Sequence, residues 1–231
     1  MDPLAEKYPE ISPYAYVGNN PINAIDPDGR FILPAKFVSQ YPAFAKYLKN
    51  NISEVLKSES IMTSLMNNGG FDKSTIENDL KFGNGPTIDI RKLSSENFIA
   101  FGHYDGKQAN GEHQIALDAD MLNRFEKAFA NDNIPDEIKE ASLMGIVSTL
   151  LHEYTHYGTG GADNESEEMG LKFEVDAYGT TLEPDNINQL IQVRTLKTTG
   201  KLVNPFNHRD VIEMQPENID KTVVPTLPDN N

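Results

Sequence analysis

The sequence predicts an α+β fold in which helices surround a short, mainly antiparallel sheet. Apolar residues recur at helical spacing between residues 31 and 82 and again after residue 119. Between residues 87 and 120 this period gives way to alternation, with glycines separating three short apolar runs. At 25.7 kDa, the chain is long enough to bury one sizeable hydrophobic core.

Residues 31–82 are predicted to be mainly helical. One apolar stripe surrounds Pro42, and a second ends at Asn67–Gly70. Residues 75–81 add a helical turn before the breaker Gly83–Pro86. Stripes of this kind usually pack in a core; their residues are Phe37, Tyr41, Phe44, Tyr47, Leu48, Ile52, Val55, Leu56, Ile61, Leu65 and Met66.

Three antiparallel strands are predicted next, at Thr87–Ile90, Phe98–Phe101 and His113–Asp118. The first and third alternate between apolar and polar residues, and the second is a short apolar run. Residues 119–130 then return to helical spacing, with apolar side chains at Met121, Leu122, Phe125 and Phe129.

A long buried helix follows. It begins near Asn133–Pro135, where an Asn cap, a first-turn Pro and acidic side chains suit a helix N-terminus. Gly158 and the Gly160–Gly161 pair are expected to end it. Its apolar residues form a broad face that should pack in the core; they are Ile138, Leu143, Ile146, Val147, Leu150, Leu151 and Tyr154.

The last turns of this helix carry His152, Glu153 and His156 in a His-Glu-x-x-His arrangement. Histidines at i and i+4 lie on the same helix face, so both imidazoles can reach one metal ion. Glu153 projects about 100° around the axis from His152, which suits a general base that touches a metal-bound water without ligating the metal. The alternative is a chance pattern on an amphipathic helix.

Composition limits the chemistry. The chain has no cysteine, so any zinc must be held by histidines and carboxylates, the ligand set of catalytic sites. The net charge of −15, with scattered Lys and Arg, argues against a nucleic-acid partner. No apolar run is long enough to cross a bilayer, and the first residues lack the pattern of a secretory signal peptide.

The first thirty residues are turn-rich and have the composition of a linker or loop. Their sequence resembles the end of the core domain of RHS-repeat proteins. The peptides that carry the resemblance are Asp2-Pro-Leu-Ala-Glu-Lys-Tyr-Pro9, Ser12-Pro-Tyr-Ala-Tyr16, Asn19-Asn-Pro21 and Asp26-Pro-Asp-Gly29. RHS proteins are long secreted or delivered shells with variable C-terminal toxin tips. The resemblance therefore implies a toxin domain, and a cognate immunity protein in the producing cell.

The order of the predicted elements, a sheet followed by a helix and then the His-Glu-x-x-His helix, resembles the small zincin metallopeptidases, or minigluzincins. In those enzymes an edge strand beside the cleft pairs with the extended substrate. His113–Asp118 is the best candidate for that strand, and an ordinary internal strand is the alternative.

A glutamate on a later helix supplies the third zinc ligand in gluzincins. Residues 164–179 are predicted to form that helix, and the resemblance implies that Glu174 is the ligand, 18 residues past His156. Asp176 is its competitor, or a hydrogen-bonding partner of a ligand histidine. The remaining acids of this segment, Glu165, Glu167 and Glu168, are interpreted as surface acids at the helix N-terminus.

Two sequence segments resemble the metallopeptidase toxin domains at the tips of polymorphic toxins. They are His152-Glu-Tyr-Thr-His-Tyr-Gly158 and Phe173-Glu-Val-Asp-Ala-Tyr-Gly179. The implied mechanism places Zn²⁺ on His152, His156 and Glu174, with Glu153 as the general base. Tyr157, Tyr178 and His208 are candidates to stabilise the oxyanion. His103 and His113 are expected to be surface or sheet residues rather than ligands.

The predicted organisation has three parts: the end of an RHS core at 1–30, a zincin-like domain at 31–204 and a loosely ordered tail at 205–231. A short helix at 184–191 and a hairpin at 195–203 are expected before the tail. The favoured function is a zinc-dependent metallopeptidase effector that acts on a protein or peptide. The alternatives are a non-catalytic zinc-binding module and a toxin of other chemistry, such as a nuclease.

Overall fold

The computed structural model describes residues 33–95, 100–162, 168–182 and 227–228. Helices α1 to α4 and one 3-10 helix precede a three-stranded sheet, and helices α5 to α7 follow it. The helices are α1 Ala35–Gln40, α2 Pro42–Asn50, α3 Glu59–Gly69, α4 Lys73–Asp79, α5 Ala119–Phe129, α6 Asp136–Thr159 and α7 Met169–Tyr178, with the 3-10 helix at Ile52–Lys57. The strands are β1 Thr87–Arg91, β2 Gly102–Lys107 and β3 His113–Asp118. The α+β prediction is therefore confirmed.

Strand order in the sheet is β1-β3-β2. The β2–β3 pair is antiparallel, whereas β1 pairs with β3 in parallel, so the prediction of three antiparallel strands is wrong for β1. β3 lies between the other two, which makes it an internal strand instead of the predicted edge. Alternation along a strand indicates which face is buried but carries no information about strand order. The sequence alone therefore could not predict which strand lies at the edge of the sheet.

Residues 98 and 99 of the strand predicted at Phe98–Phe101 lie outside the described residues. The strand that the structure shows here is β2, the polar stretch Gly102–Lys107, with a register shift between Tyr104 and Gly106. An edge strand with one solvated face needs few apolar residues, so β2 lacks the pattern that marks a buried strand.

Helix α6 is the central element, packed against α3, α5, α7, β2 and β3. It runs through Gly158 to Thr159 and ends where Gly160 adopts a left-handed conformation with φ 67°. Gly158 is therefore an internal helix residue, contrary to the sequence prediction. A Cβ at this position would come within 2.2 Å of the carbonyl oxygen of Gly69, so the glycine permits close contact between α6 and the end of α3.

The core surrounds α6. Tyr154 is fully buried, stacks on Phe71 with ring centroids 4.5 Å apart, and donates a hydrogen bond of 2.9 Å to Asp79. Within the described residues, no helix has the length and apolar character of a membrane span. The helix predicted at 184–191, the hairpin predicted at 195–203 and the junction at 1–30 lie outside the described residues, so the predicted domain boundaries remain predictions.

Candidate metal centre

Helix α6 brings the two histidines and the intervening glutamate of the sequence motif to one place. The rings of His152 and His156 lie one turn apart, with centroids separated by 5.1 Å. The side chain of His152 is 19% exposed and that of His156 is 10% exposed. Both rings are thus held by packing yet remain accessible from one side, as metal ligands require.

Glu168 completes a three-residue group with these histidines. Its Oε1 lies 2.5 Å from Nε2 of His156 and 3.4 Å from Nε2 of His152. One potential ligand atom from each of the three residues lies within 4.8 Å of the other two. Two imidazole nitrogens and one carboxylate oxygen are the donor set of a catalytic zinc site, in which water takes a fourth position.

Glu168 also begins helix α7. It occupies the N-cap position and accepts hydrogen bonds from the backbone amides of Gly170, at 3.1 Å, and Leu171. The sequence interpretation of Glu168 as an acid at a helix N-terminus is thus confirmed in position, but it overlooked that the same carboxylate faces both histidines. No local pattern in the sequence indicates this contact, because it depends on how α7 packs against α6.

Glu174, the ligand expected from the sequence, lies at the other nitrogen of the His152 ring. Its Oε1 accepts a hydrogen bond of 2.8 Å from Nδ1 of His152, and its Oε2 accepts one of 2.7 Å from the backbone amide of Leu182. The group of potential ligand atoms among the described residues contains Glu168 and not Glu174. The position of Glu174, at Nδ1 of His152, is the usual one for a carboxylate that fixes the tautomer and orientation of a ligand histidine.

Glu153 is 7% exposed and lies beside the ligand group. Burial raises its pKa, while the positive charges of His152 and His156 oppose that rise. Gly102, at the start of β2, approaches it closely, since a Cβ on Gly102 would lie 2.7 Å from Oε1 of Glu153. The edge strand therefore lies directly over the expected general base.

The charges of the site are strongly coupled. Burial alone would lower the pKa of His152, but hydrogen bonds to Glu168 and Glu174 outweigh it and raise the pKa to about 10. Burial likewise opposes ionisation of Glu168, yet its contacts with both histidines hold its pKa well below the ordinary value. An excess of carboxylates thus faces two imidazoles, an arrangement that a divalent cation would neutralise.

Gly170 lies against Nε2 of His152. A Cβ at this position would come within 2.3 Å of Nε2, so even alanine would displace the ring. This contact explains a glycine in the first turn of α7, where helix propensity disfavours it.

The remaining candidates lie elsewhere. Asp176 accepts a hydrogen bond of 2.9 Å from Asn68 on α3. Tyr157 belongs to an aromatic cluster with Phe71 and Tyr104. Tyr178 is buried in the core, and His208 lies outside the described residues.

The two other described histidines are sheet residues, as expected. The side chain of His103 is 68% exposed on β2, and Nδ1 of His113 on β3 pairs with the hydroxyl of Tyr104 at 2.5 Å. The group of three possible ligands includes neither of them.

A family model described as metallopeptidase toxin 3 matches residues 37–179. The chain belongs to this family. The matched range runs from α1 to the end of α7 and includes every residue of the metal centre described above. Membership identifies a metallopeptidase toxin domain, a hydrolase of peptide bonds that depends on a metal ion. No curated protein and no solved structure matched the chain.

Proposed function

We propose that the chain is a zinc-dependent endopeptidase in which His152, His156 and Glu168 hold the metal and Glu153 is the general base. The observation that carries this proposal is the convergence of two imidazole nitrogens and one carboxylate oxygen within 4.8 Å, with a separate buried carboxylate beside them. Histidines with one carboxylate are the donors of catalytic zinc, and the absence of cysteine excludes the thiolate sets typical of structural zinc.

Each residue of the proposed site has its own role in the reaction. Zinc, when bound, supplies an acidified water and polarises the scissile carbonyl. Glu153 would take a proton from the attacking water and pass it to the departing amine, so that water adds across the C–N bond and gives one new carboxylate and one new amine. Glu174 holds Nδ1 of His152 as the donor, which leaves Nε2 free for the metal.

The edge strand β2 is the proposed site for the substrate backbone. Among the described strands it pairs with β3 alone, and it begins at Gly102, directly over Glu153. An extended peptide that adds to this edge would lie along α6, with a bond to be cleaved close to the metal. β2 thus takes the place that the sequence interpretation gave to His113–Asp118.

The biological setting of the proposal rests on residues 2–29, whose peptides resemble the end of an RHS core. We propose that the peptidase is the toxin tip of an RHS protein, delivered into competing bacterial cells. A producer of such a toxin needs a cognate immunity protein that blocks the cleft.

The test is metal content and toxicity measured together. The protein is purified without metal-chelating resin, and zinc is quantified by mass spectrometry in the wild type and in His152→Ala, Glu168→Gln, Glu153→Gln and Glu137→Gln. Glu137 is an exposed acid in the first turn of α6, so its variant is the matched control. We expect about one zinc per chain in the wild type, Glu153→Gln and Glu137→Gln, and much less in the other two.

Toxicity is measured by expressing each variant in bacteria. The wild type and Glu137→Gln should stop growth, whereas Glu153→Gln should be harmless although it keeps its zinc. Toxicity retained by Glu153→Gln would favour a zinc-folded module without turnover, and a wild type that binds no zinc even after reconstitution would overturn the peptidase.

A further inference from the structure

The edge strand β2 contains a β-bulge close to the metal centre. Its register on β3 pairs Tyr104 with Ile115 and Gly106 with Gln114, so Asp105 is an extra residue with no partner in the ladder. Gly106 follows in a left-handed conformation with φ 73°. A bulge bends its strand and increases the local twist, so it sets the direction in which the neighbouring residues of β2 run.

The residues before the bulge are the ones that lie along α6. A Cβ on Gly102 would come within 2.6 Å of Cγ2 of Thr149 and within 2.7 Å of Oε1 of Glu153. Two residues later, the ring centroid of Tyr104 lies 6.2 Å from that of Tyr157, which is one turn beyond Glu153 on α6. The proposed substrate backbone adds to this part of β2, so its alignment bears on substrate binding.

The side chain of Asp105 is held by an arginine two strands away. Nη1 and Nη2 of Arg91, on β1, donate hydrogen bonds of 2.8 and 2.7 Å to the two carboxylate oxygens of Asp105. Nη1 also donates to Asp89, at 2.8 Å, so the guanidinium is anchored to its own strand as well. The side chain of Arg91 therefore crosses β3, which lies between β1 and β2. The β3 residue in register with Asp89 is Ala116, whose small side chain leaves room for this crossing.

The contact differs from an ordinary surface ion pair, which fixes little because water screens it. The side chains of Asp105 and Asp89 are only 16% and 22% exposed. Two parallel bonds from a guanidinium to one carboxylate fix both distance and orientation, which a single ammonium cannot do. The bonds to Asp105 also raise the pKa of Arg91 above its ordinary value, so the guanidinium stays charged.

We propose that Arg91 positions the substrate-binding part of β2 over Glu153 by holding the bulge at Asp105. Without this contact, the extra residue loses the bonds that tie it to β1, and the strand before it shifts relative to α6. The metal ligands and the general base lie on α6 and α7, so they keep their places. The inference rests on the proposed function, and it adds a residue that acts on substrate binding through the strand without touching the substrate.

The test separates substrate binding from turnover in matched variants. The zinc-loaded wild type, Arg91→Met, Asp105→Asn, the double variant and Lys92→Met are compared on one peptide, the one that the wild type cleaves fastest in a library of ten-residue peptides of mixed sequence. Lys92 follows Arg91 in the chain, its side chain is 71% exposed, and it faces Asp120 at 3.8 Å. Lys92→Met thus removes a neighbouring positive charge without touching the bulge.

We expect Arg91→Met and Asp105→Asn each to raise KM by about tenfold while kcat stays within about threefold of the wild type, because only binding to the edge is weakened. The double variant should be no worse than either single variant, since both remove the same contact. Lys92→Met should match the wild type, and all five proteins should hold the same amount of zinc.

A purely structural role for Arg91 predicts a different pattern. It would lower the fraction of folded enzyme, and hence the apparent kcat, with KM unchanged. That pattern would overturn the inference, as would a KM that rises equally in Lys92→Met or losses that add in the double variant.

If the wild type cleaves no peptide of the library, the proposed function fails and binding decides the role of Arg91. Calorimetry then measures the affinity of the zinc-loaded proteins for the library peptide that the wild type retains most tightly. Weaker binding in Arg91→Met and Asp105→Asn, but not in Lys92→Met, would sustain the inference. Equal binding by all the proteins, or no binding by the wild type, would overturn it.

Discussion

The carboxylate of Glu174 accepts a hydrogen bond from Nδ1 of His152 across 2.8 Å. We propose for Glu174 a role different from the one that the family resemblance implied, because its carboxylate contacts Nδ1 of His152 while Glu168 lies on the other side of the ring, at 3.4 Å from Nε2. A partner of this kind sets the tautomer of a ligand histidine and raises its basicity. The two glutamates should therefore differ in how their loss affects metal binding.

Replacing Glu174 with glutamine should weaken zinc binding by about 10- to 100-fold without abolishing it, since the amide keeps the volume but loses the charge. Glu168→Gln should lose far more, because a proposed ligand is removed. Competition with a chromogenic chelator measures both affinities, and Glu137→Gln serves as the control. If Glu174→Gln loses the metal while Glu168→Gln keeps it, the ligand implied by the sequence resemblance is restored.

The close approach of Gly170 to His152 leads to a prediction in which metal affinity falls by more than stability. Alanine is favoured over glycine in a helix by about 1 kcal/mol, which offsets part of the cost of moving the His152 ring, so Gly170→Ala should lower the free energy of unfolding of the metal-free protein by at most about 2 kcal/mol. The new Cβ would, however, occupy space within 2.3 Å of Nε2 and displace the proposed ligand. Zinc affinity should then fall by about tenfold or more.

Thermal unfolding of the metal-free proteins and chelator competition measure the two effects of Gly170→Ala separately. Val175→Ala is the control, an exposed position on the same helix away from the histidines. A Gly170→Ala protein that binds zinc as tightly as the wild type would show that Nε2 of His152 is not the ligand atom.

The motif residues and the fold class were accessible from the sequence, whereas the third member of the metal group was not. His152 and His156 are fixed relative to each other by one helix, so their spacing alone predicts that they meet. Glu168 comes 12 residues after His156, and its position depends on how α7 packs against α6, which no local pattern encodes. Both Glu168 and Glu174 carry the expected chemistry, and only the packing distinguishes them.

The strands of the sheet were likewise only partly predictable from the sequence. Hydrophobic alternation located β1 and β3, but the edge strand beside the metal centre is the polar β2, whose alignment on α6 depends on a glycine. Gly102 has no periodic signal, and its importance lies in the absence of a side chain. Contacts of this kind become visible only when two elements are placed together.

Gly158 offers a second case in which packing should reverse a helix propensity. An alanine at this internal position of α6 would gain propensity, but its Cβ would meet the carbonyl oxygen of Gly69 at 2.2 Å and the ring of Phe71 at 2.5 Å. A backbone carbonyl at the end of α3 cannot move aside as a flexible side chain can. Gly158→Ala should therefore destabilise the fold by about 1–3 kcal/mol.

Urea unfolding of the metal-free protein measures the effect of Gly158→Ala, with Thr159→Ala as the neighbouring control. A stabilised Gly158→Ala protein would contradict the close contact between α3 and α6.

The buried pair of Tyr154 and Asp79 supports a prediction about the stability of α6 beside the candidate metal centre. Tyr154 lies two residues from each motif histidine, is 0% exposed, and donates to Asp79, which is 7% exposed, at 2.9 Å. Tyr154→Phe keeps the ring that stacks on Phe71 but leaves a buried carboxylate without this donor. The free energy of unfolding should fall by about 1.5–3 kcal/mol, the range for a hydrogen bond to a charged group.

Tyr157→Phe is the matched control for Tyr154→Phe. Tyr157 belongs to the same ring cluster, and its hydroxyl makes no hydrogen bond to any of the described residues, so its removal should change stability by less than about 0.5 kcal/mol. Zinc affinity should stay within about twofold of the wild type in both variants, because neither tyrosine touches the ligand group. Equal losses of stability in the two variants would mean that the Tyr154 hydroxyl does not stabilise Asp79, and that packing of the rings alone supports the helix beneath the metal.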